Sequence, residues 1–143
     1  MGDYDQISYN GSCGYVKTPE MAGRVSIFAS GKMISIGSKT IEDSINNLNQ
    51  TKFYLLKENL IKEIMIKPII RNIVAITNFG ISLDLKLLET KIPGCVYDPD
   101  VFAGLRFKIE DISTVLIFAS GKMIIVGSKS IHDLNRAYKI IKK

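Results

Sequence analysis

A segment of 17 residues occurs twice in this chain, at positions 90 residues apart. Residues 27–43 and residues 117–133 are identical at 13 of 17 positions. Internal similarity at this level indicates two copies of one structural unit, so the fold is expected to contain an internal repeat. We therefore interpret the chain as a tandem duplication and compare each residue of interest with its partner in the other copy.

The composition is that of a globular protein with a basic surface. Its 143 residues are 46% hydrophobic, enough for a core, and the formal net charge of +5 favours an anionic partner such as nucleic acid. No apolar run approaches the length of a membrane span, and the polar, acidic residues 1–6 do not resemble a secretion signal. The sequence therefore predicts a soluble protein that is not secreted.

The metal-ligating residues are too few for a zinc centre. Cys13 and Cys95 lack CxxC spacing, and His132 is the only histidine. Two isolated cysteines are expected to be reduced, small apolar side chains, and a structural zinc site needs more nitrogen and sulfur ligands than these three residues supply. We predict no metal and no other cofactor.

The motifs do not support a catalytic function. Ser30 to Lys32 superficially resembles a phosphate-binding loop, but Ser26 stands where its first glycine belongs and Met33 follows the lysine. A single histidine at the start of a helix offers no credible nucleophile and base pair. The sequence therefore predicts a binding protein and not an enzyme.

Apolar periodicity predicts a strand, a turn and a helix at the start of the second copy. Ile69 to Thr77 alternates as a strand, and Asn78 to Gly80 is typical of a turn. Ser82 is the expected N-cap of a short amphipathic helix that ends at Pro93. Two further strands are expected at residues 95–98 and 104–109.

The duplicated segment predicts a β-hairpin followed by a helix in each copy. In the second copy the hairpin turns near Gly121, and Ser130 to Asp133 forms a capping box that begins the helix. In the first copy Thr40 begins a longer helix, whose apolar stripe extends from Ile41 to Leu60. Together these elements predict an α+β fold in which helices lie on one side of an antiparallel sheet.

The two copies are unequal at their beginnings. Subtracting 90 from residues 72–96 gives positions before or barely at Met1, so the first copy is expected to lack the opening strand and helix of the second. Residues 7–17 can supply only the short strands that correspond to residues 97–107. The strand from Ile70 to Thr77 is then expected to be an unpaired apolar edge.

The repeated phrase Ile-Phe-Ala-Ser-Gly-Lys-Met-Ile-x-x-Gly-Ser-Lys resembles the TATA-box-binding protein family, whose two direct repeats each carry a similar strand, turn and strand. The resemblance is closest to the archaeal members and extends through most of the second copy. The further motifs that carry it are Arg71 to Asn78, Leu83 to Leu85, Pro93-Gly94 and Tyr97 to Leu105.

The resemblance implies a saddle of two pseudo-symmetric repeats, with a curved antiparallel sheet and helices on its convex face. Residues 1–65 would form a first repeat that is incomplete at its N-terminus, and residues 66–143 a nearly complete second repeat. The concave face of such a saddle binds the minor groove of DNA. The family is a standard example of apolar side chains that wedge between base steps and bend the duplex.

The wedges of the family are pairs of phenylalanines, one pair in each repeat. By resemblance, Phe102 and Phe118 form the pair of the second repeat, and Phe28 corresponds to Phe118 in the first. An ungapped alignment places Ser12 opposite Phe102, with Tyr9 and Tyr15 as the nearest aromatic substitutes. The first repeat is therefore expected to present a blunter wedge.

The other groove-facing residues follow from alternation along the strands and, at the centre, from the resemblance. Period-two alternation places one set of side chains on the face that carries each phenylalanine. The central threonines of the family are replaced here by Ile36 and Val126, which predicts little hydrogen bonding to base edges. The predicted set is Leu116, Ile124 and Val126 in the second copy, Ile34 and Ile36 in the first, and Asn72 and Val74 at the centre.

Three lysines are expected to contact phosphates. Lys32 and Lys122 follow the two turn glycines at matched positions, and Lys108 lies in the preceding strand of the second copy. The resemblance places these cations beside the bent DNA backbone, where they add affinity and salt dependence rather than sequence readout.

The resemblance implies a general transcription initiation factor that binds AT-rich, TATA-like promoter DNA and recruits transcription factor B and RNA polymerase. It would be located in the nucleoid-associated cytoplasm of an archaeon or in a eukaryotic nucleus. The competing hypothesis is a diverged paralogue that acts mainly through protein contacts and binds DNA weakly. For the unpaired edge, three outcomes stay open: a homodimer forms through it, another element or protein covers it, or the natural chain has additional N-terminal residues.

Overall fold

A computed structural model describes residues 13–141 and the backbone of residues 7–9. The chain divides into two compact units, residues 1–68 (unit 1) and residues 69–143 (unit 2). Each unit combines an antiparallel sheet with helices, so the fold class is α+β, as predicted. In the described part of the chain, no helix is both long and apolar enough to cross a membrane.

Unit 1 contains a four-stranded antiparallel sheet. Its strands are β1 (Ile7–Tyr9), β2 (Cys13–Val16), β3 (Arg24–Phe28) and β4 (Met33–Ile36), and they are hydrogen-bonded in chain order. The predicted hairpin joins β3 and β4. In its turn, the Gly31 amide donates to the Phe28 carbonyl at 2.8 Å, and the Phe28 amide donates to the Lys32 carbonyl at 2.9 Å. The first copy of the repeated phrase therefore folds as predicted.

Helix α1 (Ile41–Lys57) covers one face of this sheet. It begins at the predicted N-cap, because the Thr40 hydroxyl accepts a hydrogen bond from the Asp43 amide at 3.0 Å. The core beneath it contains Val16, Met21 and Val25, with Ile27, Met33 and Leu48 packed against them. The core lies on the side of the sheet that faces α1. We call the opposite side the open face of unit 1.

The prediction that the stripe of this helix reaches Leu60 is wrong, because the helix ends at Lys57. Asn59 adopts a left-handed conformation with a φ of 56°. The amides of Asn59 and Leu60 donate to the carbonyls of Leu56 and Leu55 at 3.0 and 2.9 Å, which is the hydrogen-bond pattern of a Schellman motif. This cap turns the chain out of the helix and leaves Leu60 exposed.

Unit 2 contains a five-stranded antiparallel sheet. Its strands are β5 (Ile73–Asn78), β6 (Cys95–Val96), β7 (Gly104–Ile109), β8 (Ser113–Phe118) and β9 (Lys122–Ser128). They lie in the order β5-β9-β8-β7-β6, so β5 is an edge strand of this sheet. The predicted hairpin, now β8 and β9, and the predicted strand β7 are confirmed.

Strand β5 begins at Ile73 and not at Ile69 as predicted. Its pairing with β9 is irregular between Ile73 and Ala75. Here the Oδ1 atom of Asn72 accepts a hydrogen bond from the Gly127 amide at 2.8 Å. A side chain therefore takes the role of a backbone partner, and the ladder between β5 and β9 is regular only from Ala75 onwards.

Strand β6 ends at Val96, two residues earlier than predicted. The Tyr97 amide donates to the carboxylate of Glu89 at 2.7 Å instead of joining the ladder. The chain leaves the sheet at this point because its next backbone donor is satisfied by a helix side chain.

Helix α2 (Leu85–Lys91) begins at Asp84 and not at Ser82, the predicted N-cap. The Asp84 carboxylate accepts a hydrogen bond from the Leu87 amide at 3.0 Å. Asp and Ser are comparably good N-caps, so cap preference alone does not distinguish Ser82 from Asp84 as the start of the helix.

Helix α3 (Ile131–Ile141) begins with the predicted pairing of Ser130 and Asp133. The Ser130 hydroxyl accepts from the Asp133 amide at 3.0 Å and donates to the Asp133 carboxylate at 2.8 Å. This reciprocal pair fixes the start of the helix.

The core of unit 2 lies between its sheet and its two helices. Alternate residues of the three central strands point towards the helices. The buried set is Leu85, Leu105, Ile109, Val115, Ile117, Met123, Ile125 and Ala137. The remaining alternate residues form a second face, on which neither α2 nor α3 packs; we call it the open face of unit 2.

The β8–β9 turn of unit 2 is held by the segment between β5 and α2. The amides of Phe79 and Leu83 donate to the carbonyls of Gly121 and Ala119 at 2.9 and 2.8 Å. Hydrogen bonds from a segment outside the hairpin therefore stabilise the turn.

Candidate nucleic-acid interface

The open face of unit 2 is a continuous apolar surface. Strand register places Leu116 of β8 directly opposite Ile124 of β9, and Ile124 opposite Ile76 of β5. Directly paired residues of an antiparallel sheet point to the same side. The apolar residues of this face are Val74, Ile76, Leu116, Phe118, Ile124 and Val126. All are half-buried or exposed.

A pair of aromatic rings marks one end of this face. Phe118 ends β8, and Phe102 packs against it edge-to-face with ring centroids 5.8 Å apart. The Phe102 amide donates to the Asp98 carbonyl at 2.8 Å, which fixes the turn that presents the ring. Both predicted wedge residues of the second copy therefore come together.

Gly104 makes room for this pair. It lies directly opposite Phe118 in the sheet. A Cβ atom at residue 104 would lie 2.8 Å from Cε1 of Phe102 and 3.1 Å from Cε1 of Phe118, closer than such atoms normally approach. Because glycine has no side chain, the two rings can pack against each other beside residue 104.

Cationic side chains flank the apolar face. Lys108 and Arg106 both lie on β7 and face the same side as Leu116, since Arg106 pairs with Leu116 and Lys108 with Thr114. The Arg106 guanidinium lies 5.8 Å from the centroid of the Phe102 ring. Lys122 is exposed at the first residue of β9. The two predicted lysines are therefore on the same side of the sheet as the phenylalanines.

Asn72 lies beside the edge strand and not within a regular ladder. Its Oδ1 atom accepts one hydrogen bond, from the Gly127 amide, which orients the side-chain amide. The Nδ2 group and the second lone pair of Oδ1 remain for a ligand.

The open face of unit 1 carries the predicted residues of the first copy. Ile34 pairs with Ser26, and Ile36 pairs with Arg24, so the predicted isoleucines of β4 lie on the side opposite α1 together with Phe28. Lys32 is exposed in the turn. Ser26 occupies the position that Leu116 has in the second copy, but it is only 7% exposed, so this position adds no apolar surface.

Several residues of these faces were not predicted from the sequence. Period-two alternation would have identified Arg106 and Ile76, each two residues from a residue that the family resemblance indicated, Lys108 and Val74. In unit 1, the Arg24 guanidinium lies 4.8 Å from the centroid of the Tyr15 ring, across a cross-strand diagonal that only the register reveals.

The ungapped alignment is wrong by one residue in β2. Phe28 pairs with Cys13, whereas its counterpart Phe118 pairs with Gly104. Cys13, and not Gly14, is therefore the structural counterpart of Gly104. Ser12, which the ungapped alignment places opposite Phe102, lies outside the described residues.

The cysteines show no sign of reactivity. Cys13 is buried, and Cys95 is partly buried against the core of unit 2. Burial, with a smaller contribution from the negative charge of Glu89, raises the pKa of the Cys95 thiol and keeps it protonated. Among residues 13–141, no three potential metal ligands of the Cys, His, Asp and Glu types lie together.

Unit 2 is thus a sheet with helices on one face, while its other face is apolar, carries two aromatic rings at one end and is flanked by cations. The family profile described as "Transcription factor TFIID (or TATA-binding protein, TBP)" matches residues 67–143. The chain belongs to the TATA-binding protein family. Members of this family are DNA-binding transcription factors and not enzymes, and the chain is of the archaeal type.

Individual relatives agree with the family profile. The chain is 42% identical over 134 residues to a TATA-box-binding protein of Cenarchaeum symbiosum (strain A), covering 94% of this chain and 74% of that protein. It is 34% identical over 134 residues to a TATA-box-binding protein of Methanothermobacter thermautotrophicus, covering 92% and 72%. A solved structure of Methanococcus jannaschii TBP matches with a TM-score of 0.80 at 30% identity, covering 96% of this chain and 81% of that one. The fold is therefore that of the family.

Proposed function

We propose that the chain binds the minor groove of AT-rich, TATA-like promoter DNA through the open faces of its two units and bends the duplex by wedging phenylalanine rings between bases. The observation that carries this proposal is the edge-to-face pair of Phe102 and Phe118 at the end of an apolar sheet face. We also propose that units 1 and 2 are the two copies of the repeat, one incomplete and one nearly complete.

The apolar open face of unit 2 favours the minor groove of A·T pairs. In that groove A·T pairs present acceptors only, whereas a G·C pair adds the N2 amino donor of guanine. Beneath residues such as Leu116, Ile124 and Val126, a guanine amino group would lose its water without gaining an acceptor. Each such unsatisfied donor costs about 1–3 kcal/mol, so selectivity for A·T follows from an absence of hydrogen-bonding side chains.

The phenylalanine pair is suited to wedging because it is held rigidly. Phe118 belongs to a strand, Phe102 is fixed by the hydrogen bond of its amide, and the two rings support each other. Apolar side chains inserted at a base step unstack it and bend the duplex away from the protein. A preformed wedge loses little conformational entropy when it enters the stack.

The direct test is bending of an AT-rich duplex, measured by energy transfer between dyes at its two ends. We expect the full chain to shorten the distance between the dyes on an AT-rich duplex, and to leave a GC-rich duplex of equal length nearly unchanged. Equal, weak binding to both duplexes without bending would contradict the proposal and favour the competing role as a protein-interaction module.

If Lys108 and Lys122 contact DNA phosphates, removing either one should weaken the salt dependence of DNA binding. Replacing Lys108 or Lys122 with alanine should lower the slope of log Kd against log salt concentration by about 1 each, because each lysine releases about one counterion from DNA. Lys86, which is exposed on α2, provides the control, and its replacement should leave the slope unchanged. The slope is read from binding titrations at four or five salt concentrations. An unchanged slope in both interface variants would place the DNA elsewhere.

Protein partners are assigned to the helix-bearing side, because the open faces are taken by DNA. We propose that a transcription factor B-like protein and, through it, RNA polymerase bind there. In unit 2 this side exposes apolar residues on both helices, among them Leu87 of α2 and Tyr138 of α3. Exposed apolar side chains on otherwise polar helices are typical of protein contacts.

The edge strand β5 supports a proposal about assembly. Within unit 2 it pairs only with β9, and its residues Val74 and Ile76 are 49% and 64% exposed. Residues 73–78 contain neither proline nor lysine, which commonly protect such edges. An antiparallel edge is complementary to itself, so we propose that two copies of the chain pair through β5.

This pairing predicts a mass that depends on concentration. Sedimentation should show a dimer at high concentration and a monomer on dilution. Thr77→Lys places a charge on the exposed helix-facing side of β5 and should shift the equilibrium to monomer, while Thr90→Lys on α2 should not. A monomer at all concentrations would mean that β5 is covered in another way.

A further inference from the structure

Units 1 and 2 differ at one structurally equivalent position beside a proposed wedge residue. Phe28 of unit 1 and Phe118 of unit 2 occupy matched places before matched turns. Their direct partners across the sheet are Cys13 and Gly104. Whether this partner has a side chain affects how a second ring can pack beside the phenylalanine.

In unit 2 the second ring needs the space that a glycine leaves. A Cβ atom at residue 104 would lie 2.8 Å from the Phe102 ring and 3.1 Å from the Phe118 ring. It would also lie 3.1 Å from the backbone carbonyl oxygen of Ile117, so the strand gives no room on the other side. A side chain at this residue would therefore displace the rings from their observed packing.

In unit 1 the equivalent residue has a side chain. Cys13 projects a Cβ and a sulfur atom on the same side of the sheet as Phe28, and it is 5% exposed. The sequence also offers no second phenylalanine, since residue 11 is glycine and residue 12 is serine. Tyr15 does not replace it, because it pairs with Ser26, further from the end of the strand, and its ring stacks with Arg24.

We propose that the two units bend DNA unequally: unit 2 inserts a two-ring wedge, whereas unit 1 presents Phe28 alone beside Cys13, and the Gly104–Cys13 difference is the determinant. This inference rests on the proposed minor-groove binding. It gives the complex a polarity, because the base step at Phe118 is unstacked deeply and the base step at Phe28 only slightly.

The test uses an AT-rich duplex with 2-aminopurine at both end steps of the site. Its summed fluorescence rise at saturating protein reports base unstacking at the two ends together, whichever way round the protein binds. We expect Phe118→Ala to remove most of the rise and Phe28→Ala to leave most of it. Phe53→Ala, an exposed phenylalanine on α1, is the matched control and should change nothing.

The outcomes separate this inference from the proposed function. Equal losses in Phe28→Ala and Phe118→Ala would overturn the inference and leave minor-groove binding intact. No fluorescence rise with the natural sequence would overturn the proposed function itself, and the inference with it.

A single exchange tests the determinant directly. Gly104→Cys gives unit 2 the residue of unit 1 and should reduce the rise nearly as much as Phe118→Ala, although both phenylalanines remain. If Gly104→Cys binds and unstacks like the natural sequence, the position is not the determinant; circular dichroism confirms that each variant is folded.

Discussion

Phe118→Ala is expected to lower affinity for an AT-rich duplex about 30-fold or more and to remove most of the bending. The ring is half-buried against Phe102, at the point where we propose that the stack of bases is opened. A central aromatic residue of this kind contributes about 2 kcal/mol or more to binding. Its loss also deprives Phe102 of its support, so one substitution disables both rings. Fluorescence anisotropy measures the affinity and energy transfer measures the bend.

The control for this prediction is again Phe53→Ala, which removes an equally large side chain from an exposed place on α1. Unfolding of both variants should be followed by circular dichroism, because Phe118 also packs in unit 2. A Phe118→Ala protein that remains folded and bends DNA normally would show that the wedge lies elsewhere.

Gly121→Ala is expected to destabilise unit 2 by about 3 kcal/mol or more. Gly121 has a φ of +82°, where a side chain costs about 1–2 kcal/mol. A Cβ atom would in addition collide with the Ile81 carbonyl oxygen and lie 3.1 Å from Oδ1 of Asn78. Both atoms belong to the segment that fastens the turn, so relief of the collision requires loss of the hydrogen bonds from Phe79 and Leu83.

The repeat supplies a matched control at Gly31. This residue has the same φ of +82°, but no described atom lies within 4 Å of the place of its Cβ. Gly31→Ala should therefore cost only the backbone strain, about 1–2 kcal/mol. Urea unfolding of the two variants, with the midpoint and slope compared, measures both values. Equal destabilisation would mean that the β5–α2 segment does not constrain the turn.

The sequence was most informative where structure depends on neighbouring residues. The hairpin turns at Gly31 and Gly121 and the helix starts at Thr40 and Ser130 are all set within four or five residues, and they were predicted correctly. The end of α1 was not, because the left-handed conformation of Asn59 is a choice that asparagine tolerates but does not require.

Register across the sheet was less predictable. The connection from Val16 to its partner Val25 is one residue longer than the connection from Phe107 to Val115. An ungapped alignment has no means of detecting that residue, so it paired Phe102 with Ser12. The start of β5 was missed for a similar reason, since the hydrogen bond from Gly127 to Asn72 joins residues 55 positions apart.

The roles of the predicted interface residues remain predictions, although strand geometry gathers those of unit 2 on one face. Alternation was sufficient for Leu116, Ile124 and Val126 because a sheet has only two sides. It was insufficient for Phe102, which belongs to no strand and reaches Phe118 through a turn fixed by Asp98. Only the family resemblance identified that residue beforehand.

The two turn glycines have unequal surroundings, and this affects which substitutions each position can accept during evolution. Residue 31 lies in open space, so asparagine or aspartate, which enter the left-handed region at modest cost, could replace its glycine with little penalty. Residue 121 has no such freedom, because any side chain meets the backbone at Ile81. Two copies that began as one sequence are therefore open to drift at different rates, and the copy with fewer neighbours is the one in which the ancestral phrase should fade first.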